Sequence, residues 1–297
     1  MSSIVLIGPG AIGGTVAGGL LAGGRHQLTI CANQRFDTLE VKRAQGGDAA
    51  AYPVRVVTSV DDVGPADWVL LAVKSHQTAS AADWLKATVE LGTKVAVLQN
   101  GVEHRERVAP FVPNDTAIVP IVVQLPAQRT APGKITTYGG SLLIAPNDAD
   151  GREFAALFDG TPVKITLTDD FATAQWEKLC LNASSGSLTA LTSDPDAINR
   201  VPPLRDVAKA IIEECVAVGR AEGATFAAGY ADTLADMLAS RKGNRGNSMY
   251  YDRIEGKEME YDARNAVICR LGRKHGIATP VSDTIVPLLA AVSGRKA

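Results

Sequence analysis

Ile4-Val5-Leu6-Ile7-Gly8-Pro9-Gly10-Ala11-Ile12-Gly13-Gly14 is the stretch that decides the fold. An apolar run of strand length stops on a glycine, and a helix-compatible run begins at Ile12. Gly8 permits a tight turn, Gly10 lets backbone approach a pyrophosphate, and Gly13 lets helix and strand pack closely. The first turn of the following helix would then face phosphate with free N–H groups and the positive end of its dipole. A glycine-rich loop alone is weak evidence. Its weight comes from the strand before it, the helix after it and the sequence around it.

Working outward, the first half alternates short β-rich runs with helical ones. Runs at 4–7, 27–32, 68–73, 95–98, 116–123, 141–145 and 163–167 read as strands, with helices at 12–22 and 80–91. Near-continuous apolar strands separated by helices predict a doubly wound parallel sheet covered on both faces, that is, an α/β Rossmann-type domain. After 169 the strands stop. Amphipathic stretches at 171–191, 204–223, 230–241, 258–275 and 281–292 follow, with breaks at 194–195, 202–203, 243–246 and 280. We therefore read residues 1–169 as a dinucleotide-binding domain and 170–297 as an all-helical domain carrying substrate and catalysis. Apolar residues stay dense across the junction, which predicts two packed domains enclosing a cleft.

Composition narrows the function. The chain has 297 residues, 46% of them hydrophobic, and Lys plus Arg (30) nearly balance Asp plus Glu (32). That argues against disorder, and against a global pull on nucleic acid or an anionic membrane. No apolar run reaches the roughly 18 residues of a membrane span, and the N-terminus lacks the basic start of a secretory signal. Cys31, Cys180, Cys215 and Cys269 are far apart in sequence, so reduced thiols in a cytoplasmic protein are expected. His26, His76, His104 and His275 show no metal-ligand spacing, and we expect no metal.

The cofactor is read from the second strand. An NAD-binding chain would place a carboxylate at its end, near Cys31-Ala32. Here Asn33-Gln34-Arg35 follows, and no carboxylate appears before Asp37. An arginine and an amide beside the ribose favour a 2′-phosphate, hence NADP(H). The competing reading leaves Arg35 a solvated loop residue. Lys74 and Gln77 follow the strand at 68–73, and Asn100 follows the strand at 95–98. In such sheets ligands bind outside the carboxyl ends of the strands, although polar residues commonly follow strands in any case. His76 and His104 read as surface residues or as supports for the site.

A candidate catalytic face opens the second domain. Lys178 and Asn182 are four apart, so they share one face of a helix, among apolar neighbours. Reducing a ketone needs a hydride on carbon and a proton on oxygen. A lysine whose pKa is lowered by partial burial can supply that proton near neutral pH, and Asn182 could hold the substrate oxygen. The bland alternative is a lysine snorkelling at a helix surface. Ser248 could cap a helix or bind a carboxylate. Glu260 and Asp262 would ordinarily lie on a solvated face.

Taken in order, GPGAIGG (8–14), VKSHQ (73–77), LQNG (98–101), EKLCLN (177–182), LTAL (188–191), NSMYYD (247–252) and GKEMEYDARN (256–265) resemble the ketopantoate reductase (2-dehydropantoate 2-reductase) family. The resemblance implies NADPH-dependent reduction of a 2-oxo acid to a 2-hydroxy acid, with ketopantoate the leading substrate. It implies Lys178 as proton donor and Asn100, Asn182 and Ser248 as substrate contacts. Glu260 would sit beside the nicotinamide and keep Lys178 oriented and charged. Asn100, Lys74, Gln77 and the backbone of Ala127 would line the cofactor, with Gly8 to Gly13 on the phosphates. Two positions depart from the family. Asn33 stands where an arginine is usual, with Arg35 as its compensation, and Gly186 stands where a second substrate-binding asparagine is expected; either Ser185 or Ser187 replaces its hydrogen bond or the substrate differs. The rival readings are a β-hydroxyacid-dehydrogenase-like enzyme acting on another carbonyl or imine, and a non-catalytic NADP(H) sensor. The stretch 183–187 is no nucleophile elbow, which argues against a serine hydrolase. Helices such as 281–292 are apolar enough to form a homodimer face.

Overall fold

The computed structural model describes residues 1–241 and 245–297. Part of the glycine-containing break expected at 243–246 therefore lies outside the described residues. The chain forms two compact units. One comprises Met1–Gln99 and Glu103–Phe171, the other Asn100–Val102 and Ala172–Ala297.

The first unit contains β1 (Ser3–Ile7), α1 (Ala11–Gly23), β2 (Gln27–Cys31), β3 (Thr38–Arg43), β4 (Ala50–Pro53), β5 (Arg55–Val57), β6 (Trp68–Leu71), α2 (Ala82–Thr88), β7 (Lys94–Val97), α3 (His104–Val108), β8 (Ala117–Pro120), β9 (Val122–Gln124), β10 (Ala127–Ala131), β11 (Lys134–Thr137), β12 (Leu142–Pro146), α4 (Ala149–Ala156) and β13 (Lys164–Thr168). Six strands form a wholly parallel sheet in the order β5-β2-β1-β6-β7-β8. Side chains alternate across it, as the two-residue period of a strand requires. Ile4, Leu6, Leu70 and Ala96 enter a core on one face that also holds Leu20 of α1 and Phe154 of α4. Val5, Ile7, Val69, Leu71 and Val97 enter a core on the other face with Leu85 of α2 and Val108 of α3. Each such aliphatic side chain contributes about 1.5–3 kcal/mol when fully buried. The sheet is doubly wound, as the apolar runs predict. Its order reverses at β1, which has β2 on one side and β6 on the other, so the crevice at the switch point opens at Gly8.

Three features differ from the expectation. The run at 116–123 is two strands: β8 stays in the main sheet, while β9 joins β12 and β13 in a separate three-stranded sheet. The runs at 141–145 and 163–167 thus leave the main sheet. The divide falls after Pro120, whose lack of an N–H limits ladder pairing. A four-stranded sheet, β10-β11-β3-β4, was not anticipated. Its short, polar strands carry little apolar signal, yet it packs on α1 through Leu39, Val41 and Ile135. A Cβ at Gly14 would come within 2.6 Å of the Ile135 Cδ1, and one at Gly18 within 2.6 Å of the Val41 Cγ2. Finally, α2 covers only the middle of the helix expected at 80–91, because the backbone is already extended at Val89.

In the second unit the described elements are helical: α5 (Phe171–Thr192), α6 (Ala197–Arg200), α7 (Pro203–Ala221), α8 (Tyr230–Ser240), α9 (Ser248–Glu255), α10 (Val267–His275) and α11 (Pro280–Val292). Trp176, Leu179, Ile211, Ile212, Cys215, Met249 and Val267 share one core. The helix expected at 258–275 is interrupted. Residues 257–260 are irregular, and Asp262–Ala266 form a π-turn ahead of α10. Such widened turns recur at functional sites. Among the described residues no helix is long and apolar enough to cross a membrane. Among the described residues no group of three or more His, Cys, Asp or Glu is placed to hold a metal ion.

Candidate active site

The glycine turn is built by exclusion of side chains. Gly8 has φ +93°, and a Cβ there would lie 2.7 Å from the Val73 Cγ1 and 2.8 Å from its backbone nitrogen. A Cβ at Gly13 would fall 2.3 Å from the Gly8 carbonyl oxygen. A side chain at Gly8 would push the end of β1 from the segment after β6, and one at Gly13 would push α1 from the turn. Gly10, by contrast, has nothing within 4 Å of its would-be Cβ, so its surface is open to a ligand. Gly8 donates to the Cys31 carbonyl at 3.2 Å, and Ala72 donates to the Ile7 carbonyl at 2.9 Å. These bonds align the ends of β2, β1 and β6. The first-turn N–H groups of α1, among them those of Ala11 and Ile12, have no acceptor within the helix, and no acidic residue stands there to repel an anion. This cradle fits a dinucleotide pyrophosphate.

The other expected cofactor residues sit around that edge. Asn33 and Arg35 are exposed in the segment after β2, and Pro9 lies within the turn itself. Lys74 precedes a short 3₁₀ turn that includes Gln77, directly beyond β6. Ala127 begins β10, which packs on α1. Behind the edge, His104 is fully buried and bonded to the Gln99 carbonyl at 2.8 Å. Burial holds its pKa down, to about 4, so it is a neutral brace rather than a surface residue. The Gln99 side chain in turn donates to the Val73 carbonyl and to Thr78.

The second unit gathers the remaining expected residues. Asn182 Nδ2 donates to Asn100 Oδ1 at 3.1 Å, and Asn100 Nδ2 donates to Glu260 Oε2 at 3.1 Å. Arg264 Nη2 donates to the same Glu260 oxygen at 3.0 Å and to Ser248 Oγ at 2.8 Å. One continuous hydrogen-bonded chain therefore runs Asn182–Asn100–Glu260–Arg264–Ser248. Asn100 reaches it because Gly101 turns with φ +114°, passing so near Ala263 that a Cβ would lie 3.0 Å from the Ala263 carbonyl oxygen. Ser248 is held by its neighbour. Asn247, not Ser248, caps α9, accepting from the Tyr250 N–H, and its amide donates to the Ser185 carbonyl and Thr189 Oγ1 on α5.

Lys178 stands one turn before Asn182 on α5, partly buried. Burial, reinforced by the Arg264 guanidinium, lowers its ammonium pKa to about 8. A bland snorkelling lysine would not be so shifted.

Four expectations are corrected. Glu260 is not on a solvated face; it is 4% exposed. Its ion-pair partner is Arg264, while Lys178 forms no ion pair among the described residues. Ser248 is not the helix cap. Ser185 and Ser187 do not stand in for an asparagine at 186, since their hydroxyls are spent on the Leu181 and Ala183 carbonyls of their own helix. Sequence reasoning missed Arg264 altogether. Its only local signal is the four-residue spacing from Glu260.

A doubly wound sheet with an open glycine turn, together with a helical unit carrying a lysine of lowered pKa one turn from Asn182, fits an oxidoreductase with a nicotinamide cofactor. The chain belongs to the ketopantoate reductase family: it matches Ketopantoate reductase PanE/ApbA over residues 4–148 and the C-terminal domain of that family over 170–293. It is 42% identical to the 2-dehydropantoate 2-reductase of Caulobacter vibrioides, covering 99% of this chain and 100% of that one. Against the 2-dehydropantoate 2-reductase of Mycobacterium tuberculosis the identity is 38%, covering 98% of each chain. The solved structure of a dimeric ketopantoate reductase from Staphylococcus aureus superposes with a TM-score of 0.87 at 28% identity, covering 98% of each chain.

Proposed function

We propose that this enzyme reduces ketopantoate to pantoate with NADPH. Residues 1–169 bind the cofactor, and 170–297 bind the 2-oxo acid and move the proton. The observation that carries the reading is the Asn182–Asn100–Glu260–Arg264–Ser248 chain, with Lys178 one turn away on α5. The family and the names of its relatives supply the substrate.

NADPH, when bound, supplies the hydride that is delivered to the ketone carbon. Asn33 and Arg35, exposed beyond β2 with no carboxylate before Asp37, support the 2′-phosphate form of the cofactor. Lys178 gives the proton on Nζ to the ketone oxygen as charge develops there, and regains one from solvent. With a pKa of about 8 the ammonium is populated at neutral pH yet gives up its proton more readily than an ordinary lysine. Asn182 and Asn100 fix the substrate oxygens, because each amide is already held on one side by its neighbour in the chain. Ser248, an exposed hydroxyl whose oxygen accepts from Arg264, has its own proton free to donate to the substrate carboxylate. Preorganised donors of this kind are worth several kcal/mol at a developing oxyanion. The dimeric S. aureus relative supports a homodimer, and four buried unpaired cysteines support a cytoplasmic enzyme.

The test is a panel of 2-oxo acids, 3-hydroxy acids and imines, followed by NADPH oxidation or NADP reduction. The reading predicts that ketopantoate has the highest kcat/KM and that NADPH is preferred to NADH. A 3-hydroxy acid or an imine as best substrate would move the enzyme to another class of reductase. Tight NADPH binding with no turnover on any carbonyl would make it a sensor.

A further inference from the structure

Gly186 removes a side chain from the α5 face, and other residues occupy the space. A Cβ at 186 would lie 3.1 Å from the Met249 Sδ and 3.8 Å from Arg264 Nη1. An asparagine there would collide with Met249, which is fully buried. The polar group nearest the position is a guanidinium that arrives from the π-turn.

Arg264 is 2% exposed, the largest of the fully buried side chains. A guanidinium has five N–H donors. Two bonds from Nη2, to Glu260 and Ser248, are its hydrogen bonds among the described residues, and Nε is buried without a partner. Burying a cation costs several kcal/mol unless it is well paired, and a guanidinium needed only to neutralise Glu260 would commonly do so with two parallel bonds. Here Arg264 instead spends one of its bonds on an exposed serine. That bond makes Ser248 Oγ an acceptor from within and leaves the serine proton to donate to another acceptor. The result is a hydroxyl donor backed by a buried positive charge.

We propose that Arg264 is a positioning residue that gives this reductase its preference for an anionic 2-oxo acid, orienting the Ser248 hydroxyl toward the substrate carboxylate in place of the amide that Gly186 lacks. The inference rests on the reading of Ser248 as the carboxylate contact. The residue acts through Ser248 and through its charge, so its removal should weaken recognition of the acid more than it slows turnover.

The test compares steady-state kinetics of wild type, Arg264→Met, Arg264→Lys, Ser248→Ala and the Arg264→Met/Ser248→Ala double variant. Each is assayed on ketopantoate and on the corresponding uncharged 2-oxo amide. Losing a charge-assisted hydrogen bond corresponds to about 10–100-fold. Arg264→Met should raise KM for the acid by about that factor with kcat changed less, and should lower kcat/KM for the amide by a clearly smaller factor than for the acid. Lysine should restore part of the loss, and the double variant should lose little more than the worse single variant. Equal losses on acid and amide, additive losses in the double variant, or an unchanged KM for the acid would each overturn the proposal. If Arg264→Met does not fold, Arg264→Lys and Ser248→Ala on the two substrates decide the matter alone. Wild type that turns over no 2-oxo acid would instead bring down the functional reading itself.

Discussion

The glycine turn and the polar chain of the helical unit solve opposite problems. The turn works by what it lacks. Gly8, Gly10 and Gly13 fall within one six-residue stretch, and an added methyl at Gly8 or Gly13 would collide with neighbouring atoms. The polar chain works by what it holds. Five side chains from the loop after β7, from α5, from the start of α9 and from the π-turn segment meet through four hydrogen bonds. The first kind of site tolerates no growth, and the second tolerates no loss. The contrast also predicts which step each should impair: the turn should govern cofactor affinity, and the chain with Lys178 should govern chemistry and substrate recognition.

The sharpest way to break that division is Lys178→Ala. Turnover should fall by roughly 10²–10⁴-fold, the usual worth of a general acid. NADPH binding, followed by fluorescence titration, should stay within twofold of wild type by the same division. Loss of NADPH affinity together with turnover would show that the two regions are not functionally separate. Gly13→Ala should do the converse. Its Cβ would press on a backbone oxygen 2.3 Å away, and forced overpacking of about 1–3 kcal/mol should weaken NADPH by about 10–100-fold. The KM for the 2-oxo acid, measured at saturating NADPH, should barely move.

A smaller effect is expected inside the polar chain. Asn100→Ala strips a donor from Glu260 and an acceptor from Asn182. A lost buried hydrogen bond costs about 1–3 kcal/mol, which should appear as a fall of about 10–100-fold in kcat/KM for the 2-oxo acid. The smallest effect on activity belongs to a residue outside both sites. Asp148 caps α4 by accepting from the Gly151 N–H at 2.7 Å. Asp148→Ala should cost about 1 kcal/mol of stability, seen as a lower Tm, with kcat and both KM values unchanged at 25 °C. A change in kinetics there would mean that global stability, not local geometry, drives the other effects.

The same contrast explains what the sequence disclosed. The turn was legible because its meaning is local: strand, glycines and helix follow one another within 4–22. Lys178 and Asn182 were legible through helical spacing. Asn100 was read as a strand-end residue, Ser248 as a cap or a carboxylate contact and Glu260 as a solvated charge; only resemblance to a family chose the site role for each, since nothing in their own neighbourhoods decides it. Arg264 was invisible, because its value lies in contacts with Ser248 and with the face that Gly186 clears, residues 16 and 78 positions away. The second sheet of the first unit was missed for a related reason. Its strands pack one face on α1 and show little alternation of their own, as in β4, where Ala50 and Ala51 are both exposed.

The central claim is that the Lys178 ammonium is the proton source, tuned by burial and by Arg264. Its pKa of about 8 fixes the sign of the pH dependence. Below that value Nζ carries the proton that reduction consumes, and above it the amine is neutral and has none to give. The direct measurement is kcat/KM for ketopantoate from pH 6 to pH 10.5 at saturating NADPH. The account predicts a plateau that bends near pH 8 and then falls about tenfold per pH unit. A profile that stays flat beyond pH 10 would contradict it.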